Sequence, residues 1–115
     1  MIKFVYMINR VQDMTLEQFV DYHRTQHASL FTSIAEADRY VRRYTVSHPV
    51  PAEKYPARAY DGLTEIWFDN WADHDAFFAS KNYQDLVHPD EAKFIDTQSV
   101  GVMVTEETIV KGTEK

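Results

Sequence analysis

No cysteine occurs in the 115 residues, and glycine is confined to Gly62, Gly101 and Gly112. The first absence removes disulfides, thiol nucleophiles, iron–sulfur clusters and thiolate zinc sites, leaving His and carboxylate as the available metal ligands. The second leaves no place for a G-x-G-x-x-G fingerprint or a phosphate-cradling P-loop, so nucleotide-driven chemistry is not expected. Positive charge is also short: 12 Lys+Arg face 18 Asp+Glu, a formal net charge of −6, and the pI is about 5.2. A chain this acidic lacks the positive surface that nucleic acid or an anionic membrane requires. Long apolar runs are missing as well. The stretch 1–8 is cut off by Asn9 and Arg10 and is too short for a signal peptide or a membrane span. A reducing cytoplasm suits the composition.

What is abundant is aromatic: seven Phe, seven Tyr and two Trp, 14% of the chain. A single domain of this length must place that excess in a core, a pocket or an interface. Residues 3–9 read as a strand apolar on both parities, with Phe4, Tyr6 and Ile8 on one face and Val5 and Met7 on the other, so both faces are expected to be covered. Thr15 and Gln18 have capping-box spacing inside a Met14/Phe19 staple, which predicts a helix from Leu16. Leu16, Phe19, Val20, His23 and His27 form its stripe, with a break expected near Ser29.

A second strand is read at 40–46, and a loop at 48–60 carries Pro49, Pro51 and Pro56. Tyr60-Asp61-Gly62 turns the chain into a third strand at 63–68, and Asn70 opens a second helix. Short helical pieces at 83–87 and 90–96 precede a fourth strand at 100–108, extending to Val110. The expectation is one α+β domain over 1–110 with a polar tail at 111–115. Its plan is ferredoxin-like, βαββαβ, with a four-stranded antiparallel sheet. Helices cover only one face of such a sheet, so a second copy of the chain is expected on the other, making a homodimeric α+β barrel.

Four segments together resemble the EthD-domain family of the dimeric α+β barrel superfamily. They are the start Met1-Ile2-Lys3-Phe4-Val5-Tyr6, the helix Gln18-Phe19-Val20-Asp21-Tyr22-His23 running to His27-Ala28-Ser29-Leu30, the strand from Tyr60 to Asp69, and Pro89-Asp90-Glu91-Ala92-Lys93-Phe94-Ile95-Asp96. Relatives of that family include methylmuconolactone methylisomerase and aromatic polyketide cyclases. The chain departs from the pattern at His23, where the family usually has Trp, and at Ser29, where it usually has Pro. The resemblance implies a catalytic role for His27, whose imidazole titrates near neutrality and can move a proton.

His48, at the mouth of the proline-rich loop, is a second candidate for chemistry. Arg42 and Arg43 project to opposite faces of their strand, and one of them, with Arg42 on the parity of Tyr40 and Tyr44, is a candidate anchor for a carboxylate, lactone or phenolate while the other pairs with surface acids. Glu65 is read either as a buried acid or as a structural ion pair with an arginine on the next strand. Tyr6, Tyr22 and Trp67 are candidate pocket walls, and equally candidate core or dimer contacts. His23 and His27 have two-ligand spacing but no evident third ligand, so no metal is expected; haem stays open on sequence alone. Asp73, Asp75, Asp85, Asp90 and Glu91 read as a solvated face, and His74 and His88 as surface residues.

The functional expectation is cofactor-independent acid/base chemistry, of isomerase, cyclase or dehydratase type, on a small hydrophobic or aromatic metabolite of catabolic or secondary metabolism. Two alternatives stand beside it: an oxidoreductase or oxygenase accessory, and a non-catalytic dimeric metabolite-binding protein.

Overall fold

The computed structural model describes residues 1–112. Strand β1 (Ile2–Ile8) leads to helix α1 (Leu16–Tyr22), whose start is set by side chains. Thr15 accepts from the Gln18 amide, the Gln18 side chain accepts from the Thr15 amide, and Met14 packs on the cluster around Phe19. The helical backbone widens into a π-turn at His23–His27 and continues as α2 (Ala28–Ser33). The break expected near Ser29 falls at Ile34 instead, where the extended backbone (φ −84°, ψ 143°) starts α3 (Ala35–Tyr40). The wide turn carries the helix through Ala28 in helical geometry, so Ser29 has no open end to cap, and the chain bends where Ile34 is buried.

After β2 (Val41–Ser47) and the loop comes β3 (Gly62–Phe68). Next is α4 (Trp71–Ala79), capped by the Asn70 side chain accepting from the Asp73 amide at 2.8 Å. A second π-turn (Tyr83–Val87) runs into α5 (His88–Glu91), which holds Pro89 in its first turn and stops short of the expected 96. Strand β4 (Gly101–Thr105) ends earlier than expected: its neighbour in the sheet is β1, and their pairing stops at Lys3–Thr105, one residue from the start of that strand. Of the tail, Thr113, Glu114 and Lys115 lie outside the described residues.

The strands form one antiparallel sheet in the order β2-β3-β1-β4, the ferredoxin-like arrangement. Register fixes two faces. Phe4, Tyr6 and Ile8 of β1 stand beside Thr64, Ile66 and Phe68 of β3 on the helix side, where two clusters around Phe68/Phe77 and Phe19/Phe94 make the core. Lys3, Val5 and Met7 stand beside Leu63, Glu65 and Trp67 on the other side, which no helix covers. A bulge between Val41 and Arg43 lifts Arg42 out of the β2 ladder. No helix among the described residues is long and apolar enough to cross a membrane.

Candidate active site

Between the helix side of the sheet and the helices lies a cavity of about 410 Å³. Its walls are aromatic and aliphatic, with Phe4, Tyr6, Phe31, Ile66, Phe78 and Phe94 among them. No Lys or Arg is among its described lining residues. The polar groups are few and converge, as small-molecule sites require.

His27 is one of them, buried in the first π-turn with its Nδ1 at 2.8 Å from Asp90 Oδ2. Asp90 also accepts from the Tyr22 hydroxyl at 2.6 Å, and Lys93 Nζ lies at 3.6 Å. Burial pushes the Asp90 carboxyl upward, but the hydrogen bonds from Tyr22 and His27, with the charges of His27 and Lys93, hold it below its ordinary value. An ionised carboxylate only accepts, so the shared proton belongs to His27 Nδ1 and the ring's Nε2 remains for the cavity. Beside Asp90, Glu91 accepts from the Tyr83 hydroxyl at 2.7 Å, and burial raises its pKa despite that bond and the nearby His27 and His88. The Tyr44 hydroxyl is buried without a hydrogen-bond partner among the described residues. Phe31 stacks on its ring at 4.0 Å. An orphaned hydroxyl in a cavity wall is a place where a ligand oxygen would be held.

A second polar group enters from the loop side. His23, 1% exposed, places Nε2 at 2.9 Å from Thr64 Oγ1 and Nδ1 at 2.8 Å from His48 Nε2. Burial, and the neighbouring His48 and His27, push the His23 pKa down to about 3, so it is neutral at ordinary pH. His48 is half-buried at the start of the loop and is pushed down by burial and by Arg24. Gly62 makes the junction possible: a Cβ there would lie 3.1 Å from the Phe19 ring and 3.4 Å from His48. At the far end, Asp61 ties the loop down by accepting from the Arg10 amide at 3.0 Å and pairing with Arg10 and Arg58 at 3.3 Å.

Of the residues singled out from the sequence, His27 and Tyr6 line the cavity, Tyr22 stands behind it on Asp90, and His48 reaches it through His23. Burial pushes the Tyr6 hydroxyl up to about 12, with Glu91 adding to the shift. Arg42, Glu65 and Trp67 lie elsewhere. Arg42 is turned out by the bulge and pairs with Asp69 at 2.9 Å. Glu65 and Trp67 occupy the uncovered face, where Glu65 pairs at 2.9 Å with Lys3 on β1, not with an arginine. Lys3 and Arg43 lie over the Trp67 ring at 5.2 and 4.8 Å.

Asp90 and Glu91, expected as part of a solvated face, are instead inner groups of the site. The short α5 packs against the first π-turn across a separation of 63 residues, a contact with no local signal in the sequence. His74 likewise lines the cavity, within an aromatic group that includes Phe68, Trp71 and Phe78, whereas His88 borders the cavity with its side chain exposed, as a surface residue. Thr64 carried one available signal, a polar side chain on the parity of Ile66 and Phe68. His23 and His27 point to different partners, and no group of three or more His, Cys, Asp or Glu placed to hold a metal occurs among the described residues.

Comparison with known proteins places this arrangement in context. A family model described as EthD domain matches residues 11–98. An EthD family protein of Bacillus halodurans is 18% identical with a TM-score of 0.71, over 94% of this chain and 99% of that one. Hydroxynitrile lyase from Passiflora edulis is 12% identical with a TM-score of 0.70, over 96% of each chain. A dimeric protein of unknown function and ferredoxin-like fold from Bacteroides fragilis is 15% identical with a TM-score of 0.62, over 92% of this chain and 95% of that one. No curated protein matches. At these identities the structural likeness speaks to the fold.

Proposed function

The chain belongs to the EthD domain family, and from that premise we propose that it is a small-molecule enzyme performing proton-transfer chemistry in the cavity with His27 as acid/base. The observation that carries this is the contact between His27 Nδ1 and Asp90 at 2.8 Å in an aromatic pocket. A neutral His27 presents the Nε2 lone pair to the cavity; when it takes a proton from a substrate, the buried Asp90 stabilises the imidazolium and keeps the ring oriented. The substrate class is flat, apolar and uncharged. No Lys or Arg is among the described lining residues to neutralise an anion, Asp90 beside His27 already supplies negative charge, and the unpartnered Tyr44 hydroxyl suits a carbonyl or phenolic oxygen. Isomerisation, cyclisation and dehydration of aryl ketones or phenols all begin with such a transfer. The hydroxynitrile lyase among the structural neighbours acts on another small molecule within the same fold.

The working unit in this reading is a homodimer. The sheet face that no helix covers carries the part-exposed Met7 and Leu63 and the 53% exposed Met103 beside the buried Val5 and Trp67, and a second copy would bury the exposed part of it.

The test uses 2-tetralone, a neutral bicyclic ketone with an acidic C–H beside its carbonyl, in D₂O. The expected result is protein-dependent deuterium exchange at C1, followed by NMR, that His27→Asn lowers about a hundredfold without changing the thermal midpoint. Exchange by His27→Asn at the wild-type rate would overturn the assignment.

A further inference from the structure

The cavity holds a second proton-bearing group that the His27 reading leaves unused. Thr64, His23 and His48 form an unbroken hydrogen-bonded chain from the cavity wall to the half-buried start of the loop, with links of 2.9 and 2.8 Å. A neutral imidazole donates through one nitrogen and accepts through the other, so this chain has two settings. In one, the Thr64 hydroxyl donates to His23 Nε2, and His23 Nδ1 donates to His48. In the other, His48 Nε2–H donates to His23 Nδ1, His23 Nε2–H donates to Thr64 Oγ1, and the Thr64 hydrogen is released toward the cavity. The second setting puts the His48 hydrogen on Nε2, the nitrogen favoured in free neutral imidazole side chains, and leaves Nδ1 without a partner among the described residues. His23 stays uncharged throughout because it is buried beside two other imidazoles.

We propose that Thr64 is the proton donor to the substrate oxygen, recharged from solvent through His23 and His48. This rests on the acid/base reading above and completes it. His27 Nε2 takes the proton from the carbon beside the carbonyl, the C–H pair becomes the new C=C bond, and the carbonyl π pair moves onto oxygen. That oxygen takes the Thr64 proton; Thr64 takes the proton of His23 Nε2; His23 Nδ1 takes that of His48 Nε2; His48 Nδ1 takes one from solvent. The products are an enol and a protonated His27, with the three relay groups uncharged as at the start. A threonine hydroxyl alone is too weak an acid for this task, and the imidazole behind it removes the need for an alkoxide. Thr64 lies on β3 directly opposite Val46 and one diagonal step from Tyr44, so both residues stand on the cavity face of the sheet.

The test is the same exchange of 2-tetralone in D₂O, measured with and without imidazole in the medium. Thr64→Val keeps the shape and removes the hydroxyl; its rate is expected to fall about a hundredfold and to ignore imidazole, while Thr64→Ser, which retains the donor, is expected to restore much of the rate that Thr64→Val loses. His48→Ala removes the outer end of the chain; its rate is expected to fall about tenfold and to recover with imidazole, which leaves the wild type unchanged. Recovery by a small molecule separates a relay from a merely structural role. As an independent readout, long-range ¹H–¹⁵N spectra of the free protein are expected to show neutral His23 with its hydrogen on Nε2; a hydrogen on Nδ1 would contradict the donor assignment. Exchange lost in His27→Asn but untouched in Thr64→Val and His48→Ala would overturn the relay alone. No exchange by the wild type would overturn the acid/base reading and the relay with it.

Discussion

His23 and His27 are two imidazoles on one helical turn with opposite duties. His27 is held by a carboxylate that stabilises its protonated form, whereas His23 is bounded by a hydroxyl and another imidazole in a buried site that penalises its charge. This difference has a sign in stability. The folded state keeps His23 neutral down to about pH 3, while the unfolded chain protonates it near 6.5. Below 6.5 the unfolded state therefore binds more protons, and stability falls as pH is lowered through that window, by about 1.4 kcal/mol per unit. Glu91 acts in the opposite sense, since its raised pKa makes the folded state hold a proton that the unfolded state has lost. Denaturant titrations at pH 6.5 and 5 isolate the first effect: the wild type is expected to lose about 2 kcal/mol more than His23→Leu over that range, and equal losses would contradict the assignment. The sequence offered His27 as a candidate through the segment that resembles the EthD family, together with an imidazole's ability to move a proton near neutrality. It hid Asp90 among several helical acids, because the partners that distinguish it, Tyr22 and His27, are distant in the chain.

The site depends on two elements that periodicity alone does not reveal, the π-turns at His23–His27 and Tyr83–Val87. They occupy matching positions after the main helix of each βαβ half. Each brings a polar ring to the cavity, His27 from the first and Tyr83 from the second. A five-residue widening leaves the apolar spacing nearly intact, so 83–87 was readable as helical but not as wide. Element starts fared better because caps are local: Thr15 with Gln18, and Asn70 with Asp73, stand where their side chains indicated. Ends fared worse, since β4 stops where its pairing with β1 ends and α2 stops where Ile34 is buried, both long-range facts. The first cap also positions both histidines, because α1 continues directly into their turn. Thr15→Ala is expected to cost about 1 kcal/mol of stability, read as a lower denaturant midpoint with an unchanged slope, while the cavity chemistry persists.

The protomer is a slab of 39 × 38 × 23 Å with its cavity on one side of the sheet and an uncovered apolar face on the other. The two-sided apolar parity of β1 made that second face legible, and the aromatic excess divides accordingly. Seven of the sixteen Phe, Tyr and Trp rings line the cavity, and Trp67 joins Lys3, Glu65 and Arg43 on the outer face. What the pattern could not decide was which face holds the ligand, because both parities are apolar; Glu65 and Trp67 share the wrong one for the cavity, and Arg42 leaves the sheet at a bulge. Light scattering at micromolar concentration is expected to give the mass of a dimer, and Met103→Glu, at a site already 53% exposed in the single chain, is expected to shift it toward monomer. A monomeric wild type would contradict the covered face. The central claim, that His27 and Asp90 act as one proton-transferring unit, is tested most directly by the exchange rate of His27→Asn/Asp90→Asn beside the two single variants. If the pair acts as a unit, the double variant exchanges no more slowly than His27→Asn alone. Losses that multiply, or single variants that match the wild type, would contradict it.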